Sequence, residues 1–77
     1  MKLEWSEKVI NGKTQHFLYL NGVQAGFVFR DPKYPMWRWH SDLDRSVGGE
    51  FGEKAAIDEL EHRVRHRVKT MLECLRK

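Results

Sequence analysis

Seventy-seven residues suffice for one small domain, 1–77, and a chain of this size buries only about 60% of its unfolded surface, so it needs a dense core. Four Phe, two Tyr and three Trp can supply that core, while a single cysteine, Cys74, excludes an intramolecular disulfide and a CxxC metal site. The formal charge of +3, with a pI near 9.2, favours acidic partners only mildly. No apolar run nears the ~20 residues of a membrane span, and Met1-Lys2-Leu3-Glu4-Trp5 lacks the apolar stretch of a signal peptide. The lone cysteine suits a reducing compartment. These features predict a cytoplasmic protein that does not engage a membrane, in a bacterium or in the host cell of a virus.

Two Asn-Gly pairs organise the first half. Asn11-Gly12 and Asn21-Gly22 accept the positive φ of type I′ turns, which predicts strands over about 2–10, 13–20 and 23–30. Two-residue loops pair Val9 with Thr14, Trp5 with Leu18 and Leu3 with Leu20, then Leu18 with Ala25, His16 with Phe27 and Thr14 with Phe29. Directly paired residues share a face. One face therefore collects Leu3, Trp5, Val9, Leu18, Leu20, Val23, Ala25, Phe27 and Phe29. The other collects Glu4, Ser6, Lys8, Gln15, Phe17, Tyr19, Gln24, Gly26, Val28 and Arg30.

Asp31-Pro32-Lys33-Tyr34-Pro35 reads as a loop, because its prolines cannot continue a central strand. Residues 36–40 read as a fourth strand, with Phe29 opposite Trp37 and Phe27 opposite Trp39. Both tryptophans then join the apolar face, and Arg38 and His40 the other. Residues 41–52 read as a loop with a Gly48-Gly49 hinge, anchored at its end by Phe51. Beyond it, Ala56, Ile57, Leu60, Val64, Val68, Met71, Leu72 and Leu75 recur at spacings of three and four, which predicts a helix over 53–76. Such a helix runs roughly 36 Å, against about 27 Å for an eight-residue strand, so its last turns should overhang the sheet. Met71, Leu72 and Leu75 would then be free to pair in a homodimer. The fold class is α+β: a four-stranded antiparallel meander followed by one long C-terminal helix packed on one face.

No nucleophile–base arrangement, phosphate loop or cofactor motif emerges, which points to a binding module rather than an enzyme. Two surfaces are candidates. On the open sheet face, Phe17 and Tyr19 lie among Arg30, Arg38, Lys8 and His40. Rings interleaved with cations can stack bases while neutralising phosphate. The structural alternative is that Phe17 covers Gly26 across the strand pair. On the helix, Arg65, Lys69 and Arg76 cluster on one flank with His62 nearby, and Arg63 and Arg67 lie on the other. Such a flank can follow a phosphate backbone, or can simply shield the apolar stripe with its long stems. Glu59, His62 and His66 have spacing that could share a metal, but Arg63 stands where a zinc protease needs Glu. Asp42, Asp44, Ser46 and Glu53 mimic calcium-loop spacing, yet Val47 occupies the required glycine position.

The layout resembles small phage and prophage proteins in which a meander with a Trp-x-Trp strand, here Trp37-Arg38-Trp39, precedes a glycine-bearing loop, Gly48-Gly49, and a long helix that begins Phe51-Gly52-Glu53-Lys54-Ala55-Ala56. It is also similar to the N-terminal DNA-binding domains of some phage-type integrases. The resemblance implies a binding role and assigns no residues. Its members include DNA and RNA binders and inhibitors of host enzymes such as anti-CRISPR proteins, so the expected partner is nucleic acid or, alternatively, a host protein.

Overall fold

The computed structural model describes residues 2–75. Strands β1 (Leu3–Ile10), β2 (Lys13–Leu20), β3 (Val23–Arg30), β4 (Trp37–Ser41) and β5 (Val47–Glu50) form one antiparallel meander in the order β1-β2-β3-β4-β5, and α1 (Glu53–Leu75) follows. The fold is α+β as expected, with five strands rather than four. Both hairpins turn where the Asn-Gly pairs predict: Asn11 and Gly12 have φ of 53° and 74°, Asn21 and Gly22 of 51° and 83°. The β1–β2 register is also the expected one, from Leu3 opposite Leu20 to Val9 opposite Thr14.

The second hairpin departs from expectation after two pairs. Leu20 faces Val23 and Tyr19 faces Gln24, but Leu18 then faces Gly26, with Ala25 as the extra residue of a β-bulge. A bulge reverses every side chain beyond it. Gly26, Val28 and Arg30 therefore point to the helix side, and Phe27 and Phe29 to the open side, opposite to the partition expected from an unbroken ladder. Trp5 and Phe27 consequently lie on opposite faces.

A second one-residue difference restores the parity. The β3–β4 loop is one residue longer than expected, closed by the Asp31 amide donating to the Met36 carbonyl at 3.0 Å. Arg30 rather than Phe29 then faces Trp37, and Val28 faces Trp39. Trp5, Trp37 and Trp39 all remain on the helix side, as the sequence predicts.

The expected hinge over 41–52 is instead a tight turn and a strand. The Ser41 amide donates to the Ser46 carbonyl at 2.9 Å, Arg45 takes φ 58°, and the Asp44 carboxylate accepts from both the amide and the hydroxyl of Ser46 at 3.0 and 2.6 Å. Gly48 is needed because the Trp39 indole lies across it: a Cβ there would fall 2.4 Å from Trp39 Cζ2. The ring-over-glycine contact is thus Trp39 on Gly48, not Phe17 on Gly26. Phe51 anchors nothing; it is 83% exposed.

The helix lies over β3, β4 and β5. Ala56, Leu60 and Val64 are buried against Leu18, Ala25, Val28 and Trp39, with Leu3, Trp5, Leu20, Trp37, Leu43, Ile57 and Val68 packed around them. His16 Nε2 lies 2.8 Å from Glu53 Oε1, tying the start of the helix to β2. At the other end Met71, Leu72 and Leu75 are exposed, as expected of a helix that outruns its sheet.

Two substitutions probe this core. A Cβ on Gly26 would meet the His40 carbonyl oxygen at 2.6 Å and Leu60 Cδ1 at 2.9 Å, so Gly26→Ala should cost about 1–3 kcal/mol by overpacking. Trp39→Ala should cost about 3–5 kcal/mol. Chemical denaturation measures both, and an unchanged midpoint for either variant would contradict the packing.

Candidate binding face

The sheet face away from the helix carries the largest grouping of aromatic side chains. Because of the bulge, Phe27 and Phe29 on β3 join Phe17 and Tyr19 on β2, and His40 on β4 completes the group. Ring centroids are 6.3 Å apart for Phe17–Phe27, 5.8 Å for Phe27–Phe29 and 4.9 Å for Phe27–His40, the last two pairs stacked. All five side chains belong to half-buried residues, so the rings support one another laterally while keeping surface toward solvent. The Nε2 of His40 is buried without a hydrogen-bond partner among the described residues. A shallow groove beside it is lined by Phe27, Phe29, Arg38, His40 and Val47.

Cations border this face. Lys8 Nζ sits 5.3 Å from the Phe17 ring centroid, within range of a cation–π interaction. Arg38 lies beside Phe29 and His40, its Nε donating to Asp31 Oδ2 at 2.9 Å. Asp31 also accepts the Lys33 amide at 2.8 Å. That bond first, and Arg38 second, hold its carboxyl below the ordinary value of 3.8. Asp44 is likewise lowered, chiefly by the Ser46 hydroxyl and amide.

The expected site residues divide. Phe17, Tyr19 and Arg38 stand on the open face as predicted. Arg30 does not: the bulge turns it to the helix side, opposite Trp37, near Glu7 and Glu53. An unbroken ladder predicts Phe27 and Phe29 in the core, and the bulge turns both to the open face. The available signal for their position is Gly26, since a glycine inside a strand marks either a bulge or a close approach by another element.

On the helix, much of the positive charge is already engaged. Arg63 donates to Glu59 at 3.1 Å and places its guanidinium 5.0 Å over the Trp39 ring. Arg65 reaches Glu61 at 3.4 Å. His62 and His66, 6.5 Å apart between ring centroids, line one cleft with Arg63, Arg67 and Asp44. His62, expected beside Arg65 and Lys69, thus groups with Arg63 and Arg67 instead. Lys69 is exposed and has no ion pair among the described residues; Arg76 lies outside them. Among the described residues no three His, Cys, Asp or Glu side chains converge on a metal position, and no helix is long and apolar enough to cross a membrane.

No family model, curated protein or solved structure matches this chain.

The Asp31 carboxylate predicts an acid dependence. A carboxyl whose folded pKa is lowered contributes stability fully above its unfolded value, near 3.8, and loses it as pH falls through the lower folded value. Asp31→Asn should therefore be less stable than wild type near neutrality, with the difference vanishing in acid. Denaturation midpoints across the acid range measure this, and a pH-independent difference would contradict the assignment.

Proposed function

We propose that this chain is a small non-enzymatic binding module whose contact surface is the open aromatic face, and that the ligand this face fits best is single-stranded DNA or RNA. The observation that carries the reading is the ring cluster of Phe17, Phe27, Phe29 and His40, with Tyr19 beside it on β2. An unstacked base can lie on any ring face without regard to sequence, and such stacking contributes about 1–3 kcal/mol per base. Lys8 and Arg38 at the margins supply phosphate contacts, and the side-chain amide of Gln15 can reach a base edge. The helix cations lie on the far side of the sheet from the rings, so they add a general positive field rather than contacts to the stacked bases.

One observation favours a second reading. Cations on this face are few, and Arg38 is held by Asp31. An apolar segment of a protein partner, of the kind a small inhibitor would occupy, can cover such rings without any phosphate contact.

Fluorescence anisotropy separates the two. Oligonucleotides should bind as single strands in preference to duplexes. Phe17→Ala combined with Phe27→Ala should cost about 1–3 kcal/mol for each base lost from a ring while leaving the slope of log K against log salt nearly unchanged. Replacing Arg65 and Lys69 together by Gln should change affinity little. No single-strand binding tighter than about 100 μM at about 150 mM salt, the weak end of ordinary non-specific binding, would exclude the nucleic-acid reading. The protein partner would then stand.

A further inference from the structure

The two edges of the sheet differ. Strand β5 is four residues long and carries Gly48-Gly49, a short edge that offers little to a partner. Strand β1 is eight residues long, contains no proline and pairs with β2 without interruption. Natural edges of that length are normally blocked by bulges, prolines or charged side chains. Strand β1 has no bulge and no proline, and its charges, Glu4, Glu7 and Lys8, are of both signs, so a second copy can pair them rather than be repelled by them.

Which backbone groups β1 leaves free follows from its hairpin. In a two-residue loop the flanking pair, Ile10 and Lys13, is hydrogen-bonded, so even-numbered residues of β1 direct their amides and carbonyls toward β2. Lys2 agrees: its carbonyl accepts the Asn21 amide at 2.9 Å, and its amide donates to Asn21 Oδ1 at 2.9 Å. The outward groups therefore belong to Leu3, Trp5, Glu7 and Val9.

We propose that β1 pairs antiparallel with β1 of a second copy of this chain, about a two-fold axis at Ser6, joining the two sheets into one. A two-fold axis normal to the sheet requires some residue to face its own copy, and the charges select which one. Centring on Glu4, Glu7 or Lys8 sets like charges directly opposite each other, which destabilises a strand pair. Centring on Trp5 leaves Glu4 opposite Ser6, so no charge gains a partner. Centring on Ser6 sets Glu4 against Lys8 of the second copy, twice, and Leu3 against Val9, twice, with Trp5 against Glu7 in the remaining pairs. Val9 is 69% exposed in the single chain, and this pairing covers it. The outward backbone groups also fall into register, with Trp5 exchanging hydrogen bonds with Glu7 and Leu3 with Val9. The existing Lys2–Glu4 contact of 2.9 Å joins two exposed side chains and is of the kind that contributes little, so Glu4 is available to exchange partners.

The overhanging end of α1 is the other apolar surface that could meet a copy of itself. Around Met71, Leu72 and Leu75, however, it carries Arg65, Arg67 and Lys69 against a single acid, Glu73, so self-pairing there assembles like charge. The β1 pairing does not depend on what the aromatic face binds. It would set the Phe17 rings of the two copies in line across the axis, since Phe17 faces Ser6, at roughly three strand spacings of about 4.8 Å.

Charge reversal and cross-linking test the pairing together. Wild type should sediment as a monomer–dimer equilibrium at high micromolar concentration. Glu4→Lys alone and Lys8→Glu alone should each weaken the dimer about tenfold or more, because each reverses two symmetric pairs, and the double reversal should restore it. In a Cys74→Ser background, Ser6→Cys should give a disulfide-linked dimer on mild oxidation, because the Ser6 pair is non-hydrogen-bonded with Cα atoms about 4.5 Å apart. Circular dichroism checks that each variant folds. A wild type that stays monomeric, or a dimer indifferent to both charge reversals, or one abolished by Met71→Glu but not by Glu4→Lys, would overturn the proposal.

Discussion

The extra residue at Ala25 decides what this molecule is made of. Opposite Leu18 the chain places Ala25 and Gly26 together, both turned toward the helix and both buried. That gives the sheet a floor of very small side chains, on which Leu60 sits close enough that even a methyl group at Gly26 would collide with it. An unbroken ladder would instead put Phe27 and Phe29 under the helix and push the helix outward. The bulge exchanges two large rings for Val28 and a glycine, and the close helix–sheet contact depends on that exchange.

The exchange has a cost. A Phe left half-exposed forgoes part of the roughly 1.5–3 kcal/mol that full burial contributes. Stacking among Phe27, Phe29 and His40 returns some of it, since favourable ring pairs contribute about 0.5–1.5 kcal/mol beyond their buried area. The core left behind is thin and is completed by Trp39, which lies over Gly48 on one side and under the Arg63 guanidinium on the other. Glu59 holds that guanidinium in place. Part of the basic character of the helix therefore belongs to the fold, which shifts the weight of the functional reading to the open face.

The Asn-Gly turns are local signals with strict backbone demands, so both hairpins and the whole β1–β2 register follow from them. The tryptophans fall on the face that the sequence predicts although the chain between them departs from the predicted path at two points. The bulge shifts the register by one and the longer β3–β4 loop shifts it back, so parity is recovered at Trp37 and Trp39 but not at Phe27, Phe29, Gly26, Val28 and Arg30. Strand alternation alone cannot locate a bulge in β3, because from Ala25 onward Ala-Gly-Phe-Val-Phe carries no polar side chain on either face. Strand β5 was hidden for a different reason: Gly48-Gly49 has low strand propensity, and only the indole of Trp39, distant in sequence, makes glycine the residue that fits. Phe17, Tyr19, Lys8, Arg38 and His40 on the candidate face are therefore readable from local pattern, and Phe27 and Phe29, which β3 contributes, are not.

A chain with aromatic side chains on one sheet face and a helix on the other has two different apolar surfaces, one closed and one open. The proposed strand pairing rests on the β1–β2 hairpin, whereas the proposed ligand rests on the open surface being where the bulge puts it. Nuclear Overhauser contacts from the ring protons of Phe27 test that placement most directly. Contacts from Phe27 to Phe17 and His40, together with contacts from the Val28 methyls to Leu60 and Trp39, are the predicted result. Contacts from Phe27 to Leu60 or Val64, with Val28 seeing neither, would contradict it.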